Sequence, residues 1–219
     1  MTTELCDLTR YRYALFDMDG TLVDSMAYWK QLPEDYLAAH GVVLDDAGRE
    51  AIARSRGYGE ILGYFASRGV TADLPSLFAF VTTKMAYYYE NKVKEKPGTR
   101  ELLDALKEAG CRMGILTMTP HADVNICLGK TGLAPYFEFV LTMEDTEDKS
   151  GKEGTRIFEM ALDRFGGAKP AECLFFEDSL YSIRTAREMG FPIVGVSDPW
   201  AKFEETEIRA LSDLYLDLG

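Results

Sequence analysis

The stretch Tyr13-Ala14-Leu15-Phe16-Asp17-Met18-Asp19-Gly20-Thr21 is an apolar run that ends abruptly in two carboxylates, a glycine and a threonine. Its first four residues are apolar at every position, which is typical of a strand buried on both faces of a parallel sheet. Four later runs are also short and largely apolar: residues 112–116, 137–141, 173–176 and 192–196. Amphipathic helical patterns separate the later runs. This alternation predicts a doubly wound, Rossmann-like α/β parallel sheet.

One long segment interrupts the alternation after the first strand. Residues from about 25 to 96 contain no strand-like run and have helical patterns at 26–39, 46–55, 58–67 and 73–91. Asp24-Ser25 and Lys96-Pro97-Gly98 flank the segment with residues typical of hinges. We therefore predict a core domain of residues 1–24 and 97–219, with an α-helical domain of residues 25–96 inserted in it.

The composition limits the possible partners. The chain has 219 residues, with 24 Lys plus Arg against 36 Asp plus Glu, and hence a formal net charge of −12. This acidity disfavours binding to nucleic acids or membrane surfaces, which are themselves anionic. No apolar run approaches the ~20 residues of a membrane span, and the first residues lack an apolar signal core. The cysteines form no C-x-x-C pair, so we expect free thiols in a cytoplasmic protein. We also expect the protein to be a monomer.

Polar side chains follow four of the predicted strands, at the point where each strand ends. They are Asp17 and Asp19 after the first, Thr117-Met118-Thr119 after the second, Lys149 and Lys152 after the third, and Glu177-Asp178 after the fourth. Because parallel strands end at the same sheet edge, we expect these groups to meet there. Clustered carboxylates repel one another unless a cation neutralises them, and oxygen ligands without histidine suit Mg²⁺. A hydroxyl and an ammonium beside them would hold an anion, and the set favours phosphoryl transfer.

Each of these pieces also has an ordinary structural interpretation. Two aspartates around one residue are common in solvated turns, lysines are common on surfaces, and Glu177-Asp178-Ser179 resembles a helix cap. The functional interpretation rests on their convergence at one edge of the sheet.

The motifs, taken in order, resemble those of the haloacid dehalogenase superfamily. The stretch from Asp17 to Ser25 is similar to its first motif, and Thr117, Lys152 and Glu177-Asp178 match its second, third and fourth motifs. The similarity is to the phosphoglycolate phosphatase and β-phosphoglucomutase-like subgroup, in which the inserted helical domain is a cap. The resemblance implies a Mg²⁺-dependent phosphatase that acts on a small phosphorylated metabolite.

The resemblance also implies a role for each matching residue. Asp17 would be the nucleophile that forms an aspartyl-phosphate, and Asp19 the general acid and base. The implied phosphate-binding residues are Thr117, Met118 and Lys152, and the implied metal-binding residues are Asp17, Asp19 through its main-chain carbonyl, Asp178 and Glu177. Arg56 and Gly57 lie where related caps carry a substrate-specificity loop.

Three alternatives stay open at this point. Lys149 competes with Lys152 as the phosphate-binding lysine, because Lys152-Glu153-Gly154-Thr155 departs from the Lys-Pro-x-Pro of the third motif. A β-phosphoglucomutase-like phosphomutase is possible, although Trp29 and Pro120 stand where those mutases carry His and Lys. A non-enzymatic phosphometabolite-binding module is the third, and it would be free to lose Asp17 or Asp19.

Overall fold

The computed structural model of the chain describes residues 8–53, 58–147 and 150–217. The strands are β1 (Tyr13–Phe16), β2 (Arg112–Thr117), β3 (Phe139–Thr142), β4 (Cys173–Glu177), β5 (Ile193–Val196) and β6 (Leu214–Leu216). The helices are α1 (Met26–Ala39), α2 (Asp46–Ala53), α3 (Tyr58–Ser67), α4 (Leu74–Asn91), α5 (Thr99–Glu108), α6 (His121–Thr131), α7 (Arg156–Arg164), α8 (Leu180–Met189) and α9 (Glu205–Leu211).

The chain divides into two compact units. The described residues up to Ser25 and from Val93 onwards form the first unit, and Met26–Lys92 forms the second. Among the described helices, none has the length and apolar character needed to cross a membrane.

All six strands belong to one sheet of the first unit, in the order β3-β2-β1-β4-β5-β6. Every neighbouring pair is parallel, which confirms the predicted doubly wound fold with its helical insertion. The winding reverses between β1 and β4. In sheets of this kind ligands bind outside the carboxyl ends of the strands at such a reversal.

The central strands are apolar because both faces of the sheet are covered. Leu15 and Phe16 of β1 are fully buried, and the ring of Phe16 stacks on that of Phe176 with centroids 4.2 Å apart. Burying a side chain of this size contributes about 1.5–3 kcal/mol to folding. The packed strands thereby form a firm base for the polar loops that follow them.

The second unit has an aromatic core of its own. Tyr36 of α1 stacks on Phe65 of α3 with ring centroids 5.1 Å apart, and Phe80 of α4 meets Tyr36 edge-on at 5.1 Å. Asp73 starts α4 with a capping box, in which its side chain accepts from the backbone N–H of Ser76.

Two elements were not predicted from the sequence, α9 and β6. The strand β6 has only three residues, all half-buried, and it lies at the edge of the sheet beside β5. Its apolar run, Leu214-Tyr215-Leu216, has only three residues, too few for the sequence to indicate a strand. The cysteines at 111, 127 and 173 are buried and form no disulfide with one another, and Cys6 lies outside the described residues.

Candidate active site

The acidic loops meet at the carboxyl edge of the sheet, where the winding reverses between β1 and β4. The backbone N–H of Asp17 donates to the carbonyl of Phe176 at 2.9 Å, so the ladder between β1 and β4 continues one residue beyond β1. This hydrogen bond fixes Asp17 beside the end of β4, where Glu177 and Asp178 lie. All three acidic side chains are buried.

Lys152 joins two of these acids. It lies in the turn Gly151–Glu153 before α7, and its Nζ donates to Oδ1 of Asp17 at 2.5 Å and to Oε2 of Glu177 at 2.7 Å. Burial lowers the pKa of Lys152, but the charges of Asp17 and Glu177 outweigh burial and raise that pKa well above its ordinary value. The side chain therefore stays protonated, and its ammonium is held in place between Asp17 and Glu177.

The side chain of Glu177 is held on both oxygens. Oε1 accepts from the backbone N–H groups of Asp178 at 3.1 Å and Ser179 at 3.0 Å, while Oε2 accepts from Lys152. Asp178 is oriented by Thr21, whose hydroxyl donates to Oδ1 at 3.1 Å. The loop after β1 thus contacts the loop after β4 directly.

The three acids fit a metal ion. One carboxylate oxygen from each of Asp17, Glu177 and Asp178 lies within 4.8 Å of the others. Burial and then the charge of Glu177 raise the pKa of Asp17 to about 8, despite the opposing effect of Lys152. Burial followed by the charges of Glu177, Asp17 and Asp198 raises the pKa of Asp178 well above its ordinary value. A single ammonium leaves this cluster with excess negative charge, and a hard divalent cation would relieve the excess.

The carboxylate of Asp19 accepts hydrogen bonds from two hydroxyl groups outside the acidic cluster. Its Oδ1 accepts from the hydroxyl of Ser25 at 2.5 Å, and its Oδ2 accepts from the hydroxyl of Thr119 at 2.6 Å. Because both oxygens accept hydrogen bonds, the plane of the carboxylate is fixed. Asp19 is thereby separated in role from the three clustered acids, which suits a group that transfers protons rather than one whose side chain binds a metal.

Thr117 and Met118 follow β2 at the same edge. The side-chain oxygen of Thr117, which is buried, accepts from the backbone N–H of Thr119 at 3.2 Å. A hydroxyl that accepts in this way can still donate its own hydrogen to an anion. The sulfur of Met118 accepts from the backbone N–H of Lys152 at 3.4 Å. Because the thioether faces Lys152, the group that Met118 can offer to a phosphate is its main-chain N–H.

The remaining predicted positions, Arg56 and Gly57 as substrate residues and Lys149 as the alternative lysine, lie outside the described residues. For these three positions the sequence hypotheses stay predictions.

Comparison with protein families identifies the chain. A family model described as haloacid dehalogenase-like hydrolase matches residues 11–190. The chain belongs to the haloacid dehalogenase-like hydrolases. The match spans the loops that carry Asp17, Thr117, Lys152 and Asp178, and it confirms the predicted family and the predicted hydrolase class.

Individual relatives agree with membership in the haloacid dehalogenase-like hydrolases. Protein CbbY of Rhodobacter capsulatus is 30% identical over 199 residues, which cover 82% of this chain and 82% of CbbY. The phosphoglycolate phosphatase of the same organism is 26% identical, over 86% of this chain and 85% of its own. The crystal structure of CbbY from Rhodobacter sphaeroides in complex with phosphate has the same fold, with a TM-score of 0.76 at 22% identity and coverage of 95% and 94%.

Several residues of this haloacid dehalogenase-like site were not assigned a role from the sequence. Ser25 and Thr119 were part of the quoted motifs, but nothing in their spacing indicated that both would bind Asp19. Asp123, in the first turn of α6, is 2% exposed, and burial followed by the charges of Asp19 and Glu144 raises its pKa to about 6. An aspartate near the start of a helix is an ordinary sequence feature, so only the fold reveals its proximity to Asp19.

Proposed function

We propose that this protein is a Mg²⁺-dependent phosphatase that hydrolyses a small phosphorylated metabolite through an aspartyl-phosphate on Asp17. The observation that carries the proposal is that two neighbouring carboxylates have different hydrogen-bond partners. Asp17 lies in a buried acidic cluster against the ammonium of Lys152, whereas Asp19 is held apart by two hydroxyls. Such a pair can supply a nucleophile and a separate proton carrier.

The substrate class follows from the same site and from the names of the relatives. These include a phosphoglycolate phosphatase and an N-acetylmuramic acid 6-phosphate phosphatase from Pseudomonas aeruginosa. The shared chemistry of those names is the phosphate monoester, while the alcohol portion differs. We therefore propose that the substrate is a phosphate monoester of a small metabolite.

The phosphate group would be bound by three donors. They are the ammonium of Lys152, the hydroxyl of Thr117 and the main-chain N–H of Met118. Charged and neutral donors together match the oxygens of a phosphate, and the burial of Lys152 strengthens its attraction for an anion.

The metal would be held by Asp17, Asp178 and the main-chain carbonyl of Asp19. Glu177 would stand behind them, because its oxygens already accept from Lys152, Asp178 and Ser179. When bound, Mg²⁺ supplies positive charge that reduces the repulsion between the carboxylate nucleophile and the anionic phosphate.

The residues of the chain then perform two displacements. In the first, an Asp17 oxygen attacks phosphorus, the bond from phosphorus to the ester oxygen breaks, and Asp19 donates a proton to the departing oxygen. In the second, Asp19 accepts a proton from water as that water attacks the phosphorus of the aspartyl-phosphate. The bond between phosphorus and Asp17 breaks, inorganic phosphate leaves, and both carboxylates return to their starting states.

A substrate panel tests this proposal. We expect the protein to release phosphate from at least one of phosphoglycolate, the sugar phosphates and the nucleotides with Mg²⁺, and to stop when EDTA is added. Asp17→Asn should abolish release and Asp19→Asn should slow it by about 10²–10⁴-fold. Asp24→Asn, at an exposed position of the same motif, is the matched control and should remain active.

Other outcomes would contradict the proposal. Isomerisation of a sugar phosphate primed by a bisphosphate, without net phosphate release, would indicate a phosphomutase. Tight binding of a phosphometabolite with no turnover would indicate a binding module. On the sequence hypothesis for the second unit, Arg56→Ala and Gly57→Ala should alter the ranking of substrates in this panel rather than abolish all turnover.

The expected cellular context is also a proposal. Buried free thiols at Cys111, Cys127 and Cys173 suit the reducing cytoplasm. The monomeric state and the absence of nucleic-acid and membrane partners stay predictions from charge and sequence. Size-exclusion chromatography with light scattering would measure the oligomeric state.

A further inference from the structure

Besides the ion pairs of Lys152, the described residues of the first unit contain a buried ion pair that the proposed reaction does not use. Nζ of Lys96 lies 2.9 Å from Oδ2 of Asp198, and the two side chains are 3% and 1% exposed. The ammonium also donates to the carbonyl of Ser197 at 2.5 Å, and Oδ1 of Asp198 accepts from the backbone N–H of Trp200 at 2.9 Å. Because both partners lose their hydration, such a buried pair contributes little stability compared with apolar residues of the same size.

Asp198 lies at the same edge of the sheet as the acidic cluster, after the neighbouring strand. It follows β5 by two residues, and Asp178 follows β4 by one. These strands are parallel neighbours, with Glu177 opposite Gly195, so the two aspartates leave the same edge of the sheet on adjacent strands. Both carboxylates are buried, and in a poorly hydrated interior the charge of one acts strongly on the other.

Lys96 is linked to Asp178 by hydrogen bonds to the loop after β1. The N–H of Lys96 donates to the carbonyl of Leu22 at 3.0 Å, and Leu22 directly follows Thr21. Thr21 in turn donates its hydroxyl to Oδ1 of Asp178. Lys96 therefore joins the loop that carries Thr21 to the loop that carries Asp198. Asp178 contacts the first of these loops through Thr21.

The formal charges also balance. When all three acids are ionised, as cation binding requires, Asp17, Glu177 and Asp178 carry three negative charges and Lys152 one positive charge, so the cluster retains two negative charges for a divalent cation. Asp198 would add a third if it were not paired. The ammonium of Lys96 cancels that charge and joins the two loops at the same time.

We propose that Lys96 and Asp198 are positioning residues for Asp178, and that their pairing sets the charge of the metal site. The inference rests on the proposed metal-dependent function. It predicts that the two partners affect cation affinity in opposite directions, because removing Asp198 leaves an unpaired positive charge beside the site, whereas removing Lys96 leaves an unpaired negative charge.

The test is calorimetric titration of the full chain with Mg²⁺ alone. We expect Asp198→Asn to weaken Mg²⁺ binding by about tenfold or more, as the free ammonium repels the ion. Lys96→Met should retain or exceed wild-type affinity, and the double variant should lie near wild type. Ile208→Ala is the control for lost stability, because Ile208 packs against Gly195 of β5 and carries no charge.

Each outcome decides the proposal. Unchanged affinity in Asp198→Asn, or equal weakening in Lys96→Met, Asp198→Asn and Ile208→Ala, would overturn it, because a purely structural clamp weakens binding whichever partner is removed. If Lys96→Met does not fold, Asp198→Asn and the double variant still give the answer. A wild-type protein that binds no Mg²⁺ would instead overturn the metal assignment of the proposed function.

Discussion

The backbone of Gly20 lies so close to the side chain of Asp178 that a β-carbon at residue 20 would be 2.5 Å from Oδ2 of that carboxylate. The glycine has φ +84°, in the left-handed region, where other residues are strained by about 1–2 kcal/mol. The position therefore requires glycine for two independent reasons, its backbone conformation and the space that Asp178 occupies.

Gly20→Ala is expected to move Asp178 out of the acidic cluster. A displacement of about 1 Å in such a site typically lowers turnover by about 10²-fold, and Mg²⁺ affinity should fall with it. Steady-state kinetics and calorimetric Mg²⁺ titration measure the two effects. Gly110→Ala is the matched control, because Gly110 has φ +77° with nothing within 4 Å of an added β-carbon. It should lose stability but keep both turnover and Mg²⁺ affinity, and equal losses in both variants would show that backbone strain alone is responsible.

Thr119→Val should reduce turnover without weakening substrate binding. The variant keeps the shape of the side chain but removes the hydroxyl that donates to Oδ2 of Asp19. A hydrogen bond to a charged group is worth about 1.5–3 kcal/mol, so kcat should fall by about 10–100-fold while KM changes little.

Two further variants separate this role from general packing. Thr119→Ser keeps the hydroxyl and should restore most of kcat. Thr146→Val removes the hydroxyl of another buried threonine, which donates to the carbonyl of Met143, and should leave kcat unchanged. A large rise in KM for Thr119→Val, or no rescue by Thr119→Ser, would contradict the positioning of Asp19 by this hydroxyl.

Substituting Lys152 and Lys149 separately tests which of the two lysines binds the phosphate. Lys152→Met removes the ammonium that contacts Asp17 and Glu177, and we expect kcat/KM to fall by about 10³-fold or more, since an electrostatic donor to the phosphate is lost. Lys149→Met should remain close to wild type in the same assay. The reverse result would assign the phosphate-binding role to Lys149.

The central sheet could be predicted because parallel strands covered on both faces leave continuous apolar runs. Tyr13–Phe16 is both the predicted run and the observed β1, and the predicted run at 173–176 became β4, which extends to Glu177. The apolar run of the edge strand β6 is only three residues long, which is too short to predict a strand. In the second unit, the predicted helices at 26–39 and 58–67 match α1 and α3, because their apolar spacing and terminal residues are local properties.

The proximity of Asp17, Lys152 and Glu177 could also be predicted from the sequence. Asp17 follows β1, Lys152 lies in the loop after β3 and Glu177 ends β4, and these strands end at the same edge of the sheet. The contacts of Asp19 could not be predicted. Thr119 is 100 residues away from Asp19, and whether its hydroxyl faces a carboxylate depends on the exact course of two loops. The same holds for Lys96 and Asp198, which stand in ordinary hinge and turn sequences and meet only in the folded chain.

The carboxyl group of Asp123 is expected to make the stability of the protein depend on pH. Burial and then the charges of Asp19 and Glu144 raise its pKa from 3.8 to about 6. Because the pKa is higher in the folded state, ionisation of Asp123 opposes folding, and stability is lost as pH rises from about 4 to about 7. The full difference corresponds to about 3 kcal/mol, which screening by nearby water reduces to about 1–2 kcal/mol.

Asp123→Asn should therefore stabilise the metal-free protein by about 1–2 kcal/mol at pH 7.5 and have little effect near pH 4, where the aspartate is already protonated in the folded state. Urea unfolding at both pH values measures the free energy of unfolding directly. Asp163→Asn, on an exposed position of α7, is the control and should change neither value. An equal gain at both pH values would mean that the amide improves packing or hydrogen bonding, and that the charge of Asp123 does not oppose folding.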